Sequence, residues 1–390
     1  MANELAYVII TPYSLFKSRT GGIISRLISR TGLELVGARM FAPSQSLVEE
    51  YARMNICQDD PQDRFIQELM ANYILRELAP DPKTGSKRRV MMLLFAGENA
   101  VTRVRDVVGF FRLGQYGGQT IRDTYGDLVC GEDGRVAYFE PAVLAAPSLK
   151  QARQRIRLWA SYSDTDGGLL EGVIRYPEGQ RPERTLVLIK PDNFQFPTGR
   201  PGNMVDCFSR TGLYIIGIKV LHMSPAQAME FYAPVRQALH ARLKSVAAAK
   251  ARAILEDQLE LQIPAEQEER LGDLIGPLFA EDQFARLIKF MSGFRPDQCP
   301  AELLNQPGTE KSIALVYEGV DAVRKIREAL GPTDPSKAPP GSVRREFGHD
   351  VMVNAAHASD SVENAIREMK IVDVAENTFR QVAEDFYGPL

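Results

Sequence analysis

The word Ser-Arg-Thr-Gly-Leu stands twice in this chain, at residues 29–33 and again at residues 209–213, an offset of 180. Further along, Gly97-Glu98-Asn99-Ala100-Val101 and a helix carrying Arg105 correspond to residues 319–327, displaced by 222. The same displacement takes Gly118-Gln119-Thr120-Ile121-Arg122 to residues 340–344. Ordered self-similarity of this kind requires two similar units, each with the same succession of strands and helices. A length of 390 residues allows two or three domains, each large enough to bury a core.

The elements can be read in both copies. Residues 6–10 are an apolar, β-branched run stopped by Thr11-Pro12, a buried strand. Ile23, Ile24, Leu27 and Ile28 form one face of a helix that Thr31-Gly32 ends, and residues 33–40 make the next strand. Residues 90–95 are a third strand, 129–136 a loop, and 151–159 a closing helix. Residues 161–183 read as a linker with one short strand at 172–175. In the second copy residues 185–189 form a strand that delivers Lys190 at its end, where ligand-facing groups usually sit. A helix over 204–209 and a strand over 213–220 follow.

Residues 233–280 have no counterpart in the first copy. Leu239, Leu243, Val246 and Ala249 are spaced as a helical stripe, Pro264 breaks it, and a second amphipathic segment runs through Leu271, Leu274 and Ile275. The expectation is a helical hairpin. Arg236, His240, Arg242, Lys244, Lys250 and Arg252 would give its first helix a basic face, which reads as solvated more readily than as a nucleic-acid or partner surface. Beyond it come a loop over 293–311, a strand over 312–317, a helix over 322–330 presenting Arg327, and a proline-rich loop over 331–341. A strand over 350–353 then leads to Asn354 and His357, and the tail, 376–390, is a short helix.

The stretch Asn354-Ala355-Ala356-His357-Ala358-Ser359-Asp360-Ser361-Val362-Glu363 crowds polar residues at a strand-to-helix junction. Asp360 and Glu363 read as a capping box, and Val362, Ala365, Ile366 and Met369 as the buried stripe of the helix that follows. Glu368 on that helix can reach back toward the imidazole of His357, with Ser359 as a second orienting group. Imidazole is a competent nucleophile toward phosphorus near neutral pH when it is held by such a partner. Lys190, Arg327 and Arg344 could supply a cationic clamp.

Together Asn-x-x-His-x-Ser-Asp-Ser-x-Glu, Lys190-Pro191-Asp192, Glu318-Gly319-Val320-Asp321-Ala322-Val323 with Arg327, and Pro340-Gly341-Ser342-Val343-Arg344 resemble the ordered hallmark segments of nucleoside diphosphate kinases. The similarity covers about residues 184–233 and 281–371, with a weaker copy in the N-terminal half. It implies an α+β fold of two tandem ferredoxin-like βαββαβ domains, the second with the helical insertion. The corresponding domains are 1–160 (degenerate), a linker over 161–183, 184–375 (complete, insertion at about 233–280) and a tail over 376–390. It further implies a ping-pong kinase in which His357 carries the phosphoryl group, with Ser359 and Glu368 as its catalytic companions. Nucleotide contacts carried over from the family are Lys190, Tyr232, Leu287, Arg327, Thr333, Arg344, Val351 and Asn354. Mg²⁺ is expected on the nucleotide phosphates, with no dedicated protein metal motif. The expected partners are nucleoside di- and triphosphates, the two domains paired within the chain, and a homo-oligomer as an open arrangement. Two departures stand out: Gln283 occupies the position of a base-stacking aromatic ring, with Phe284 in the core, and Ala358 replaces a glycine.

The first copy retains Arg105 and Arg122, but Thr11 stands for Lys190, Tyr13 for Asp192 and Leu144 for His357. It reads as a structural partner, with a regulatory nucleotide site as the alternative that the two arginines keep open. For the whole chain the rivals are a nucleotide-binding pseudoenzyme or regulator and a protein-histidine phosphocarrier. RNA binding through the sheets is least favoured, for want of an aromatic RNP motif. A net charge of −3 gives no electrostatic case for nucleic acid or a membrane. Four scattered cysteines, an N-terminus without a basic-then-apolar signal and the absence of an eighteen-residue apolar run point to the cytoplasm.

Overall fold

A computed structural model describes residues 3–58, 60–111 and 117–390. The first half runs β1 (Asn3–Ile10), α1 (Pro12–Phe16), α2 (Thr20–Thr31), β2 (Glu34–Phe41), α3 (Gln45–Met54), α4 (Arg64–Glu77) and β3 (Val90–Glu98). It continues through α5 (Ala100–Val108), α6 (Ile121–Tyr125), β4 (Asp127–Cys130), β5 (Val136–Glu140), β6 (Val143–Ala145), α7 (Leu149–Ser161) and α8 (Ser163–Asp166). The second half opens with β7 (Glu183–Ile189), α9 (Arg200–Ser209), β8 (Tyr214–His222), α10 (Pro225–Phe231), α11 (Ala233–Leu259) and α12 (Ala265–Ser292). It closes with β9 (Lys311–Gly319), α13 (Ala322–Leu330), α14 (Val343–Phe347), β10 (Ala356–Ala358), α15 (Val362–Ile371) and α16 (Thr378–Tyr387).

The chain forms two compact units: residues up to Val220 together with Ile313–Leu390, and Leu221–Ser312. The larger unit holds two four-stranded sheets, ordered β2-β3-β1-β6 and β10-β7-β9-β8. Counted within each copy, both read 4-1-3-2, the ferredoxin-like order that the repeat anticipates. β1 and β7 are central, and helices pack on both: α5 and α7 on β1, α13 and α15 on β7. That is why these strands are apolar runs without alternation. Leu5, Val8, Ile9 and Ile10, like Leu186, Val187, Leu188 and Ile189, are fully buried.

Backbone specials repeat with the sequence. Asn99 (φ 53°) and Asp321 (φ 58°) take the left-handed conformation just before α5 and α13. Ala142 (φ 59°) and Ala355 (φ 69°) do so just before β6 and β10, where the Thr11 and Lys190 N–H groups donate to their carbonyls. The copies also meet directly, since α2 packs on α9. A Cβ on Gly21 would lie 2.5 Å from the Gly202 carbonyl oxygen, and one on Gly202 would lie 2.4 Å from the Gly21 oxygen. The two helix backbones therefore touch through reciprocal glycines, a contact no side chain could occupy. The repeated Ser-Arg-Thr-Gly-Leu word makes the same contact in both copies, because Arg30 donates to the Gln119 carbonyl and Arg210 to the Gly341 carbonyl, equivalent loop positions.

In the smaller unit α11 and α12 form the expected hairpin, with α12 running on to Ser292. Small residues, Ala247, Ala248, Gly272, Gly276 and Ala280, line the seam and are buried. Four of the six basic residues meet carboxylates: Arg236 and His240 meet Glu281, Lys244 meets Asp273 and Arg252 meets Glu268 across the hairpin, and Arg252 also meets Glu256 on its own helix.

Four local expectations are corrected. Residues 172–175 form no strand. Residues 129–136 are not an open loop but the turn region of the β4–β5 hairpin. Residues 350–353 are not a strand, because the Asp350 carboxylate takes the N–H groups of Met352 (2.7 Å) and Val353 (2.8 Å) in a local turn. The strand is β10 instead. Finally, the cap of α15 is Ser361, whose hydroxyl accepts from the Asn364 N–H, and Ser148 caps α7 in the same way.

Candidate active site

β10 is three residues long, and its middle residue, His357, lies opposite Leu188 of β7. Alternation sends Ala356 and Ala358 into the core and leaves the His357 side chain on the other face, 21% exposed. Ala358 is extended and buried, so the missing glycine costs no backbone strain; the left-handed residue is Ala355. The cap at Ser361 starts α15 where Glu368 can turn back on the strand. Its Oε2 lies 2.9 Å from His357 Nε2 and accepts from Ser359 Oγ at 2.7 Å, while Arg367 Nη2 stands 3.5 Å from Oε1. Glu368 is buried, and these donors satisfy its carboxylate there. A carboxylate can only accept, so its bond to Nε2 selects the tautomer protonated there and leaves the imidazole lone pair at Nδ1.

A second cluster lies at the end of β7. Lys190 is 5% exposed; its Nζ donates to Asn354 Oδ1 (2.7 Å) and to the Met352 carbonyl (3.2 Å). The Asn354 amide nitrogen in turn donates to the carbonyls of Thr333 (3.1 Å) and Val351 (2.8 Å), tying the proline-rich loop to the turn before β10. Burial, with the Arg344 charge second, pushes the Lys190 ammonium down to about 7, against the opposing pull of Asp192 and Asp350. Arg344 joins the two clusters, donating to Gly331 O (3.0 Å) and to Ala356 O (3.2 Å), the residue before His357. Arg327 is exposed on α13, which packs on β10. Thr333 and Val351 are exposed as well.

Nine of the eleven expected residues therefore belong to one region of the larger unit: His357, Ser359, Glu368, Lys190, Arg327, Thr333, Arg344, Val351 and Asn354. Tyr232 and Leu287 belong to the smaller unit and are buried in it. Tyr232, which by itself reads as a helix-surface residue, packs on Phe231 and directs its hydroxyl to Met291 Sδ at 3.5 Å. Phe284 is core, as expected.

Sequence reasoning passed over the support beneath Lys190. Asn193 is buried and donates to the carbonyls of Lys190 (3.0 Å) and Ala355 (2.8 Å), fixing the two backbone segments that flank the site. Arg200 donates to Asn193 Oδ1 (3.1 Å) and stands 3.7 Å from Asp192. Both Asp192 carboxylate oxygens are buried without a hydrogen-bond partner among the described residues, and burial pushes this carboxyl up. The available signal was three polar residues in the turn directly after a buried strand.

The family model for nucleoside diphosphate kinase matches residues 183–247 and 301–376. The nucleoside diphosphate kinase of Staphylothermus marinus is 30% identical over 190 residues, covering 49% of this chain and 92% of the relative. That of Aquifex aeolicus is 30% identical over 190 residues, covering 48% of this chain and 91% of the relative. Among solved structures, an orthorhombic crystal form of the Aquifex aeolicus nucleoside diphosphate kinase aligns at 28% identity and TM-score 0.31, over 49% of this chain and 95% of that one. An NDP kinase from Pyrobaculum aerophilum aligns at 24% identity and TM-score 0.32, over 50% of this chain and all of that one. The family match omits residues 248–300, which hold most of the helical hairpin.

Proposed function

The chain belongs to the nucleoside diphosphate kinase family, and from that premise we propose that residues 184–375 transfer the γ-phosphoryl group of a nucleoside triphosphate to a nucleoside diphosphate through phosphorylated His357. The observation that carries this is the Glu368–His357 bond beside the Lys190–Asn354–Arg344 cluster. In the first half-reaction the Nδ1 lone pair attacks the γ-phosphorus, the bond from that phosphorus to the β,γ-bridging oxygen breaks, and the diphosphate leaves with the electron pair. In the second, a β-phosphate oxygen of the acceptor attacks the same phosphorus and the N–P bond breaks, returning the ring to its starting state. Glu368 stabilises positive charge on the ring through the Nε2 proton in both steps, and Ser359 holds Glu368 in place.

The transferring group spreads negative charge over its equatorial oxygens, and Arg344, Arg327 and Lys190 are the cations proposed to meet it. Thr333 and Asn354 are the polar groups for the sugar and phosphates, and Val351 the exposed apolar surface for the base. Tyr232 and Leu287 remain proposed nucleotide contacts on the strength of the resemblance alone. Mg²⁺ bound to the nucleotide would neutralise charge across the phosphate oxygens. Such an ion takes most of its ligands from phosphates and water and asks little of the chain, whose Glu368 and Asp350 are engaged by other donors and whose Asp192 carboxylate is buried. The first copy serves as the structural partner of the second within the chain, the reciprocal glycine contact of α2 and α9 being its support.

The test is transfer of labelled γ-phosphate from ATP to the purified chain, beside His357→Ala, followed by a chase with a different nucleoside diphosphate. An acid-labile, alkali-stable label that depends on His357 and is discharged by the diphosphate is expected. A chain that binds nucleotide without acquiring the label is a pseudoenzyme, and one that discharges only to proteins is a phosphocarrier.

A further inference from the structure

The place in the first copy that corresponds to the catalytic site is not filled in. A cavity of about 40 Å³ remains there, lined by Arg105, Arg122, Asn55, Asp60, Gln62 and Leu144 among others. Its position is set by register: Leu144 pairs with Ile9 of β1 just as His357 pairs with Leu188 of β7. Arg122 donates to the Gly109 carbonyl (2.8 Å), the counterpart of the bond from Arg344 to Gly331. The guanidinium is thus held in the same pose as in the second copy, although Leu144 stands at the position of the histidine.

The charge is what calls for a ligand. Arg122 is 9% exposed, and the Nε atoms of Arg105 and Arg122 are buried without hydrogen-bond partners. Their other bonds are to neutral oxygens: Arg105 to Pro147 O (2.9 Å), and Arg122 to Gly109 O and to Gln62 Oε1 (3.4 Å). Among the described residues neither forms an ion pair, and buried charges are ordinarily paired. The surroundings add positive charge, because Arg155 occupies the position of Glu368 and is bonded to Asn55 of the cavity wall (3.1 Å). Among the described residues Asp60 is the single carboxylate of the lining. The volume is that of about three water molecules, enough for a tetrahedral oxyanion and far too little for a nucleoside.

We propose that the first copy binds a phosphate group between Arg105 and Arg122 and transfers nothing. Leu144 offers no lone pair, and the Thr11 hydroxyl that replaces the Lys190 ammonium is already bonded to Glu140 (2.9 Å). The anion is either free phosphate or the terminal phosphate of a nucleotide whose remainder stays outside the cavity.

The experiment uses the full chain carrying Arg327→Gln and Arg344→Gln, which removes the clamp of the second copy, and titrates inorganic phosphate and ATP separately by calorimetry. Saturable binding of at least one of them is expected, weakened at least tenfold by Arg105→Gln and strengthened severalfold by Asp60→Asn. Binding of ATP no tighter than phosphate identifies the free anion, and binding at least tenfold tighter identifies the nucleotide's terminal phosphate. Arg105 is only partly buried, so its variant preserves the fold, which an unchanged circular dichroism spectrum checks. No saturable binding of either ligand, or binding indifferent to Arg105→Gln, or weaker binding in Asp60→Asn, overturns the proposal.

Discussion

The two copies place the same strand, the same left-handed residue and the same arginine around two different chemistries. Where the second has His357 answered by Glu368, the first has Leu144 with Arg155 behind it. The replacements are coupled. Once the imidazole is gone, a buried carboxylate at the Glu368 position would lack its donors, and the first copy has a cation there instead. Arg155 is 1% exposed and bonds Asn55, the Met54 carbonyl (2.7 Å) and Tyr7 (3.5 Å). The same ferredoxin-like scaffold therefore accommodates two different sets of buried polar groups, each organised as a unit.

The sharpest way to break this comparison is to exchange the central residues. His357→Ala should abolish the phosphoenzyme label, and Leu144→His should not create one, because Arg155 cannot accept a hydrogen bond from Nε2–H as Glu368 does. A label on Leu144→His would show that the carboxylate is dispensable. The next largest effect is expected from Glu368→Gln: burst kinetics should show phosphorylation of His357 slowed on the order of 10²-fold or more, with nucleotide affinity nearly unchanged.

Lys190 sharpens the comparison with Thr11 through pH. Burial pushes its ammonium down to about 7, and a bound phosphate would raise that value, so nucleotide binding takes up a proton. Affinity should fall as pH rises from about 7 to 9, and calorimetry in buffers of different ionisation enthalpy should register the uptake. Lys190→Met should bind more weakly and with a flatter profile; an equally steep profile would assign the proton to another group. The smallest effect belongs to the hairpin, which has no counterpart in the first copy. Arg236→Ala removes a half-exposed pair with Glu281 and should cost less than about 1 kcal/mol in urea denaturation, with transfer activity unaffected. A larger loss of activity would tie the hairpin to the reaction.

Much of the site was legible along the chain because its groups come in short ordered words: Lys190 at a strand end, Arg344 after Pro340-Gly341, and Asn354, His357, Ser359 and Glu368 within one strand-to-helix junction. Asn193 and Arg200 were not, since each acts on a carbonyl or side chain reached only after folding. Asp350 was read as part of a strand because the apolar pattern of Val351, Met352 and Val353 outweighed a single turn-forming carboxylate. Much of the basic face of α11 is paired with Glu281, Asp273 and Glu268, which lie on α12 and are visible as partners only once the hairpin closes.

The sequence by itself determined the internal similarity, most of the main strands and helices, and the family, because each of these rests on local pattern and spacing. Tertiary structure alone decided which groups are charged and which are answered. It buried Lys190 beside Arg344, turned Glu368 back onto His357, and left Arg105 and Arg122 around a cavity where, among the described residues, no carboxylate is bonded to them. The physical reason is that burial and pairing depend on neighbours brought from far along the chain, and the cost of an unpaired buried charge exists only after water has been excluded.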